Sequence, residues 1–317
     1  MVDKKFDIVG IGNSIVDVIL QVDDNFLHSK GLRKGLMSLV DLPSIETLTQ
    51  GLEIQSTVSG GSVANSIVCL AQNDIKCSFI GKVANDALGK IFIDGLEKEN
   101  IFYGNSQKQD ESKTGRCVVM VTGDAQRTMS TYLGISQKLN EEDVNEEIIK
   151  NSQILYLEGY LWDLDNAQSA IKKAILCAKT NNTKIAFSIS DVFCVERFRD
   201  SFLDMIRNDI DIVFANEQEI KSLFQKKDFQ DTLMEAKSFN KIFALTRGED
   251  GATIINDDYI INLESEEIEN LVDTTGAGDL FAAGFLEGFI NKKALETCGK
   301  RGIQQASKII QKFGARL

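Results

Sequence analysis

Proline and histidine are almost missing from this 317-residue chain, which has one of each, Pro43 and His28. A single proline excludes a proline-rich linker, and no repeat or low-complexity segment supplies another kind. A single histidine means that any Ser-His-Asp or Cys-His mechanism must use His28. His28 sits in a polar stretch and reads as a surface residue, so acid–base chemistry falls to carboxylates. The six cysteines (Cys69, Cys77, Cys117, Cys177, Cys194 and Cys298) are scattered and contain no Cys-x-x-Cys pair. That spacing disfavours zinc and disulfide frameworks and suits reduced core cysteines. No run approaches the ~18 apolar residues of a membrane span, residues 280–286 included. Residues 1–7 are polar and lack a signal-peptide pattern, so a cytoplasmic protein with no membrane partner is expected. Net charge −12 and a pI near 4.8 argue against a duplex-binding surface, and hence against a nucleic-acid partner. Gly-x-x-x-x-Gly-Lys-Ser/Thr is absent, which excludes a P-loop. Gly10-Ile11-Gly12 begins like a dinucleotide fingerprint, but Ile15 stands where the third glycine belongs.

What remains is an ordinary globular composition, 43% hydrophobic and 26% charged, able to bury a substantial core. Short apolar runs alternate with helical patterns, the signature of βαβ units and a mostly parallel sheet. Strands are expected over 6–12, 78–80, 154–157, 184–189, 210–215 and 241–246. Helices are expected over 62–72, around 88–96, and over 167–179, 197–207 and 217–224. Residues 15–40 and 114–133 break this rhythm with short alternating patterns. Residues 117–121 and 127–132, with Gly123-Asp124 between them, read as a hairpin. These strands form either a small separate sheet or an extension of the main one.

The strongest local signal is Asp273-Thr274-Thr275-Gly276-Ala277-Gly278-Asp279, which leads into an apolar helix. The small residues of that helix look suited to close packing on a sheet. Free N–H groups at its start and the positive end of its dipole make an anion site. Asp279 falls in the first turn, where it is either a helix cap or a base for an alcohol attacking a bound phosphoryl group. The pattern alone leaves both open. A second glycine-rich turn, Gly60-Gly61, precedes a helix that carries Asn65 one turn in. It is either a plain turn or a place where backbone and Asn65 meet a polyhydroxy ligand.

Several motifs, in order along nearly the whole chain, resemble those of the ribokinase-like (pfkB, phosphofructokinase-B type) sugar and nucleoside kinases. They are Gly60-Gly61 with Asn65, Asn216-Glu217-Gln218-Glu219, Thr246-Arg247-Gly248-Glu249-Asp250-Gly251, and residues 270–279. The resemblance implies a three-layer α/β/α core with a mostly parallel sheet, plus a small β-sheet lid. It places residues 1–12, 48–100 and 136–317 in the large catalytic domain, and 13–47 and 101–135 in the lid. It implies ATP-dependent phosphorylation of a hydroxyl, with Asp279 as the general base and Gly276, Ala277 and Gly278 as the anion hole. Asn216, Thr246, Gly248 and Gly251 would then bind ATP, and Glu219 would act on Mg²⁺ largely through water. Asp273, with carbonyls near Gly314-Ala315-Arg316, is compatible with a monovalent cation such as K⁺.

Within the family the chain is similar to the adenosine kinases and their bacterial relatives. Gly12-Asn13-Ser14-Ile15-Val16-Asp17 resembles their ribose-holding segment, with Asn13 and Asp17 as contacts. A carboxylate suits a cis-diol because it accepts two O–H hydrogen bonds. Residues 125–134 resemble their lid sequence, in which Arg127 closes over phosphates or substrate. The implied partner is a small nucleoside or sugar, and the implied reaction ATP plus adenosine to ADP plus AMP. Ribokinase- or fructokinase-type activity, a nucleoside-phosphate glycosidase and a non-catalytic binding protein are the alternatives. The implied assembly is a monomer or a homodimer.

Overall fold

The computed structural model describes residues 4–105, 107–108, 112–124 and 126–317; Ala125, at the tip of the expected hairpin, lies outside them. Fourteen strands follow one another among the described residues. They are β1 (Phe6–Ile11), β2 (Ile15–Gln21), β3 (Met37–Leu39), β4 (Ile54–Gly60), β5 (Cys77–Ile80), β6 (Phe102–Tyr103), β7 (Gly115–Val121) and β8 (Arg127–Tyr132). The remaining ones are β9 (Ser152–Glu158), β10 (Lys184–Ser188), β11 (Ile212–Asn216), β12 (Ile242–Thr246), β13 (Ala252–Ile255) and β14 (Ile260–Leu263).

Nine of them build one sheet in the order β14-β13-β12-β11-β10-β9-β1-β5-β6. It is parallel from β6 through β12, while β13 and β14 are antiparallel. Its inner strands are apolar on both faces, as a doubly covered sheet requires. On β9, Ile154 and Tyr156 pack to one side, and Leu155 and Leu157 to the other. Helices Ser62–Gln72, Ala277–Ile290 and Leu295–Ile309 cover the first face. Helices Asp165–Thr180, Val192–Asn208, Glu217–Phe224 and Phe229–Lys237 cover the second. These three layers match the α/β/α core that the resemblance implies, and the parallel strands are those expected from the alternating apolar runs.

The other five strands form a separate sheet ordered β3-β8-β7-β2-β4. The expected hairpin is its centre, with β7 and β8 antiparallel and Val121 opposite Arg127. Two assignments change. Residues 54–60, expected with the large domain, pair with β2 in the small sheet, and residues 102–103, expected with the lid, pair with β5 in the large one. Backbone hydrogen bonding decided these edges, because both segments are too short or too polar to carry an alternating pattern.

Helix Ala277–Ile290 is buried all round from Leu280 to Leu286. Such a helix needs a partner on every side. Phe285 meets Phe214 of the sheet edge-on at 5.5 Å. The interior glycines of this helix, however, face the C-terminal helix rather than the sheet. A Cβ at Gly284 would lie 2.4 Å from the Arg301 carbonyl oxygen, and one at Gly302 would lie 2.8 Å from Phe281. Glycines on both helices thus let their backbones approach and fix the axis that carries Asp279. Gly284→Ala is expected to force these helices apart, costing about 1–3 kcal/mol for overpacking. Thermal denaturation should show a midpoint several degrees lower; an unchanged midpoint would count against this packing.

Candidate active site

Two helices begin at the same place. Gly61 caps the start of helix Ser62–Gln72 with φ +103°, and Gly276 caps the start of helix Ala277–Ile290 with φ +78°. At Gly61 only glycine fits, since a Cβ there would lie 2.2 Å from the Asn13 carbonyl oxygen. Both cap residues are glycine and offer no side-chain acceptor. In the first helix the Val63 N–H is taken by Glu158, while the positive dipole ends of both helices converge on one volume.

Asp279 lies between them. Its carboxylate accepts from Ser62 Oγ at 2.6 Å and from Asn65 Nδ2 at 3.1 Å, both on the opposing helix. Its carbonyl oxygen accepts from Ser66 Oγ at 2.8 Å. The carboxylate thus bonds across the helix pair instead of capping its own helix. Burial pushes its pKa up to about 6, against the pull of the Ser62 and Asn65 hydrogen bonds and of the Arg316 charge.

Beside Asp279, the Ala277 N–H donates to the Thr274 carbonyl at 3.2 Å. The N–H groups of Gly278 and Asp279 have no carbonyl four residues back within the helix. A Cβ at Gly278 would meet open space, so packing does not demand glycine there. What the glycine leaves is room for an approaching group.

These residues line a cavity of about 1240 Å³ that reaches both the small sheet and β11 and β12. Pockets for one drug-sized ligand run about 300–1,000 Å³, so this one suits an acceptor and a second ligand together. Asp17 enters from the lid on β2, and Gly60 leaves space for its carboxylate, as a Cβ there would lie 2.6 Å from Oδ2. Burial also pushes Asp17 up to about 6, opposed by the charges of Arg316 and Arg127. Asn13 lines the cavity, but most of its hydrogen-bonding capacity is spent inward. Nδ2 donates to Glu158 Oε1 at 2.9 Å, and Oδ1 accepts from Ser136 Oγ at 3.0 Å.

Three side chains of the site have no role in the sequence motifs, where Arg316 enters only through its backbone carbonyl. Ser62 directly follows the Gly60-Gly61 turn. Glu158, at the end of β9, is fully buried and accepts from the Asn13 and Val63 N–H groups at 2.8 and 2.9 Å. It ties the loop that carries Asn13 to the first turn of the helix that carries Asn65, and burial pushes it up to about 7. Arg316 donates from Nε to Asn65 Oδ1 at 3.0 Å and from Nη1 to Ser59 Oγ. Long-range contacts of this kind leave no spacing in a sequence.

On the far side, Asn216 and Glu219 form a reciprocal cap. The Asn216 N–H and Nδ2 donate to the Glu219 carboxylate at 2.9 and 2.6 Å, and the Glu219 N–H returns a bond to Asn216 Oδ1 at 2.8 Å. Both line the cavity, and burial pushes Glu219 up to about 7. Thr246 lines it too, whereas Gly248 and Gly251 lie outside its lining. Gly251 answers to the fold: at φ +80°, a Cβ there would lie 2.0 Å from the Leu263 carbonyl oxygen.

Arg127 pairs with Asp273 at 2.7 Å, both side chains about nine-tenths buried. Asp273 also accepts from the Gly314 N–H at 3.0 Å and from Thr275 N–H and Oγ1 at 3.0 and 2.8 Å. A carboxylate committed to a guanidinium and these donors does not fit a monovalent cation. ATP fits better. Arg127 Nε and Arg316 Nη2 are buried and meet no acceptor among the described residues, which leaves donors for an anionic ligand. Among the described residues no cluster of three or more His, Cys, Asp or Glu is placed to hold a metal, so a divalent ion would rest on few protein ligands.

Known proteins share this fold. A probable sugar kinase of Rhizobium etli CFN 42 is 38% identical, with TM-score 0.91, covering 99% of this chain and 95% of its own. Adenosine kinase from Sinorhizobium meliloti is 37% identical, with TM-score 0.91 and coverage of 99% and 96%. Adenosine kinase 2 of Arabidopsis thaliana is 23% identical over 97% of this chain and 94% of its own. The family model for pfkB family carbohydrate kinases matches residues 47–317. The chain therefore belongs to the pfkB family of carbohydrate kinases, phosphotransferases that act on a hydroxyl group.

Proposed function

We propose that this kinase phosphorylates a hydroxyl of a nucleoside, with adenosine, giving AMP, as the foremost substrate. The observation that carries the catalytic part is the Asp279 carboxylate. It faces the cavity from a helix N-terminus and is held by Ser62 and Asn65 rather than spent as a cap. Asp279 takes the proton of the attacking hydroxyl. The N–H groups of Gly278 and Asp279, in a turn shaped by Gly276 and Ala277, face the charge that develops on the transferred group. ATP supplies the phosphoryl group when bound, and Asn216 and Thr246 are the residues to hold it. Glu219, with both carboxylate oxygens engaged by Asn216, would act on a Mg²⁺ ion through water. Asp17 accepts the sugar hydroxyls, and the lid sheet excludes water from the closed site.

The cavity face of the lid supports a nucleoside over a free sugar. Alternation along β2 buries Val16, Val18 and Leu20 and turns Ile15, Asp17 and Ile19 to the cavity. Neighbouring strands add Met37, Leu39, Val58, Val119 and Met129 to that face. Met37, Leu39 and Val58 are 47%, 49% and 44% exposed. A free sugar offers this surface little but hydroxyls, whereas a nucleobase covers it.

Asp279→Asn is expected to lower kcat by about 10²–10⁴-fold while ATP binding remains measurable by calorimetry. Retained turnover would remove Asp279 as the base. With Asp279 and Asp17 both raised to about 6, kcat/KM should fall as pH drops through 6, as the base takes up a proton. A flat profile between pH 5 and pH 8 would contradict an ionised carboxylate base. A base burying about 100 Å² of apolar surface gains about 2.5 kcal/mol, so kcat/KM for a riboside should exceed that for free ribose by about 50-fold or more. An ADP-release assay over nucleosides, ribose and fructose measures this, and a preference for a free sugar would reassign the enzyme to sugar-kinase activity.

A further inference from the structure

The chain's last residues run through the site. The Arg127 guanidinium lies over the Phe313 ring at 5.5 Å, the Gly314 N–H donates to Asp273, and Ala315 backs onto Gly276. Arg316 then reaches Asn65 and Ser59. The bond to Asn65 has a consequence for the base. A side-chain amide is nearly isosteric on rotation by a half turn, and only its hydrogen-bond partners fix which end is which. Asn65 stands between a group that only donates and one that, when ionised, only accepts. Arg316 Nε faces Oδ1 at 3.0 Å, and Asp279 Oδ2 faces Nδ2 at 3.1 Å. Rotated, the amide would set N–H groups against the guanidinium and its carbonyl against the carboxylate, which disfavours that state at both ends.

We propose that Arg316 is a positioning residue for phosphoryl transfer: it locks the Asn65 amide in the orientation that donates to Asp279. Locked in this way, Asn65 and Ser62 hold the Asp279 carboxylate from one side and leave its other lone pairs to the substrate hydroxyl. Arg316 also carries a charge felt by both Asp17 and Asp279, and it stitches the C-terminal segment to Ser59. Either effect gives Arg316 a role without Asn65, and the two routes separate in a double-mutant cycle. The inference rests on Asp279 being the base.

The test uses the full chain with Arg316→Met, Asn65→Ala and the double variant, with kcat measured using ATP and the best acceptor. Arg316→Met is expected to lower kcat about tenfold or more, with KM for ATP within about twofold of the parent. In the Asn65→Ala background, the same substitution should change kcat by less than about twofold. Equal losses in both backgrounds, or no loss in the parent, overturn the proposal. Matched thermal midpoints guard against misfolding, and Arg316→Gln replaces the Met variant in the cycle if that protein does not fold. Asp279→Asn with retained turnover would instead sink the base itself. An inactive Asp279→Asn together with additive Arg316 losses sinks only the part given to Arg316.

Discussion

The carboxylate of Asp279, held across a helix pair by Ser62 and Asn65, is the contact around which the rest of the molecule is arranged. An acidic group beside the anion site proposed above is electrostatically awkward, since it repels the charge such a site attracts. Two converging helix N-termini and two hydrogen bonds make it tolerable, and burial keeps its pKa within reach of neutral pH. Both helices must be held firmly for that geometry to persist. Glycine-mediated packing against the C-terminal helix fixes one, and Glu158 fixes the first turn of the other through the Val63 N–H.

The lid is attached by polar contacts as well as by chain connectivity. Arg127, at the start of β8, reaches Asp273 in the loop before the anion site. A buried ion pair of this kind contributes little net stability, but losing one partner leaves an uncompensated charge. It therefore links the small sheet to an intact Asp273 loop. The two faces of the small sheet divide the remaining work. One packs on Leu27 and Ile45 of its covering helices, while the other presents apolar side chains and Asp17 to the cavity.

Much of the fold was legible because burial on both faces of a parallel sheet forces continuous apolar runs. Segments such as β9, β10 and β12 lie where the runs predict, within a residue or two. The strand Ile54–Gly60 was less legible, because Ser56, Thr57 and Ser59 give it no apolar stripe. Helix Leu295–Ile309 carries Gly299 and Gly302 in its interior, where glycine lowers helix propensity, and those glycines serve close packing. In the site, Gly60-Gly61, Asn65 and the Asp273 to Asp279 turn stood out since glycine spacing records backbone needs. Gly248 and Gly251 stood out for the same reason, at φ +60° and +80° in the turn after β12.

The sequence by itself determined the mostly parallel α/β arrangement, the absence of a P-loop and the identity of the acidic residue at the second helix start. Each depends on local pattern, which period and spacing preserve. Only the tertiary structure decided that Asp279 is not a cap, since its partners lie 217 and 214 residues away. The same holds for Arg316, whose partner Asn65 is 251 residues distant, and for Glu158, which joins loops far from it in the chain. Hydrogen bonds between remote residues are set by where the backbone places them, and no local pattern encodes that distance.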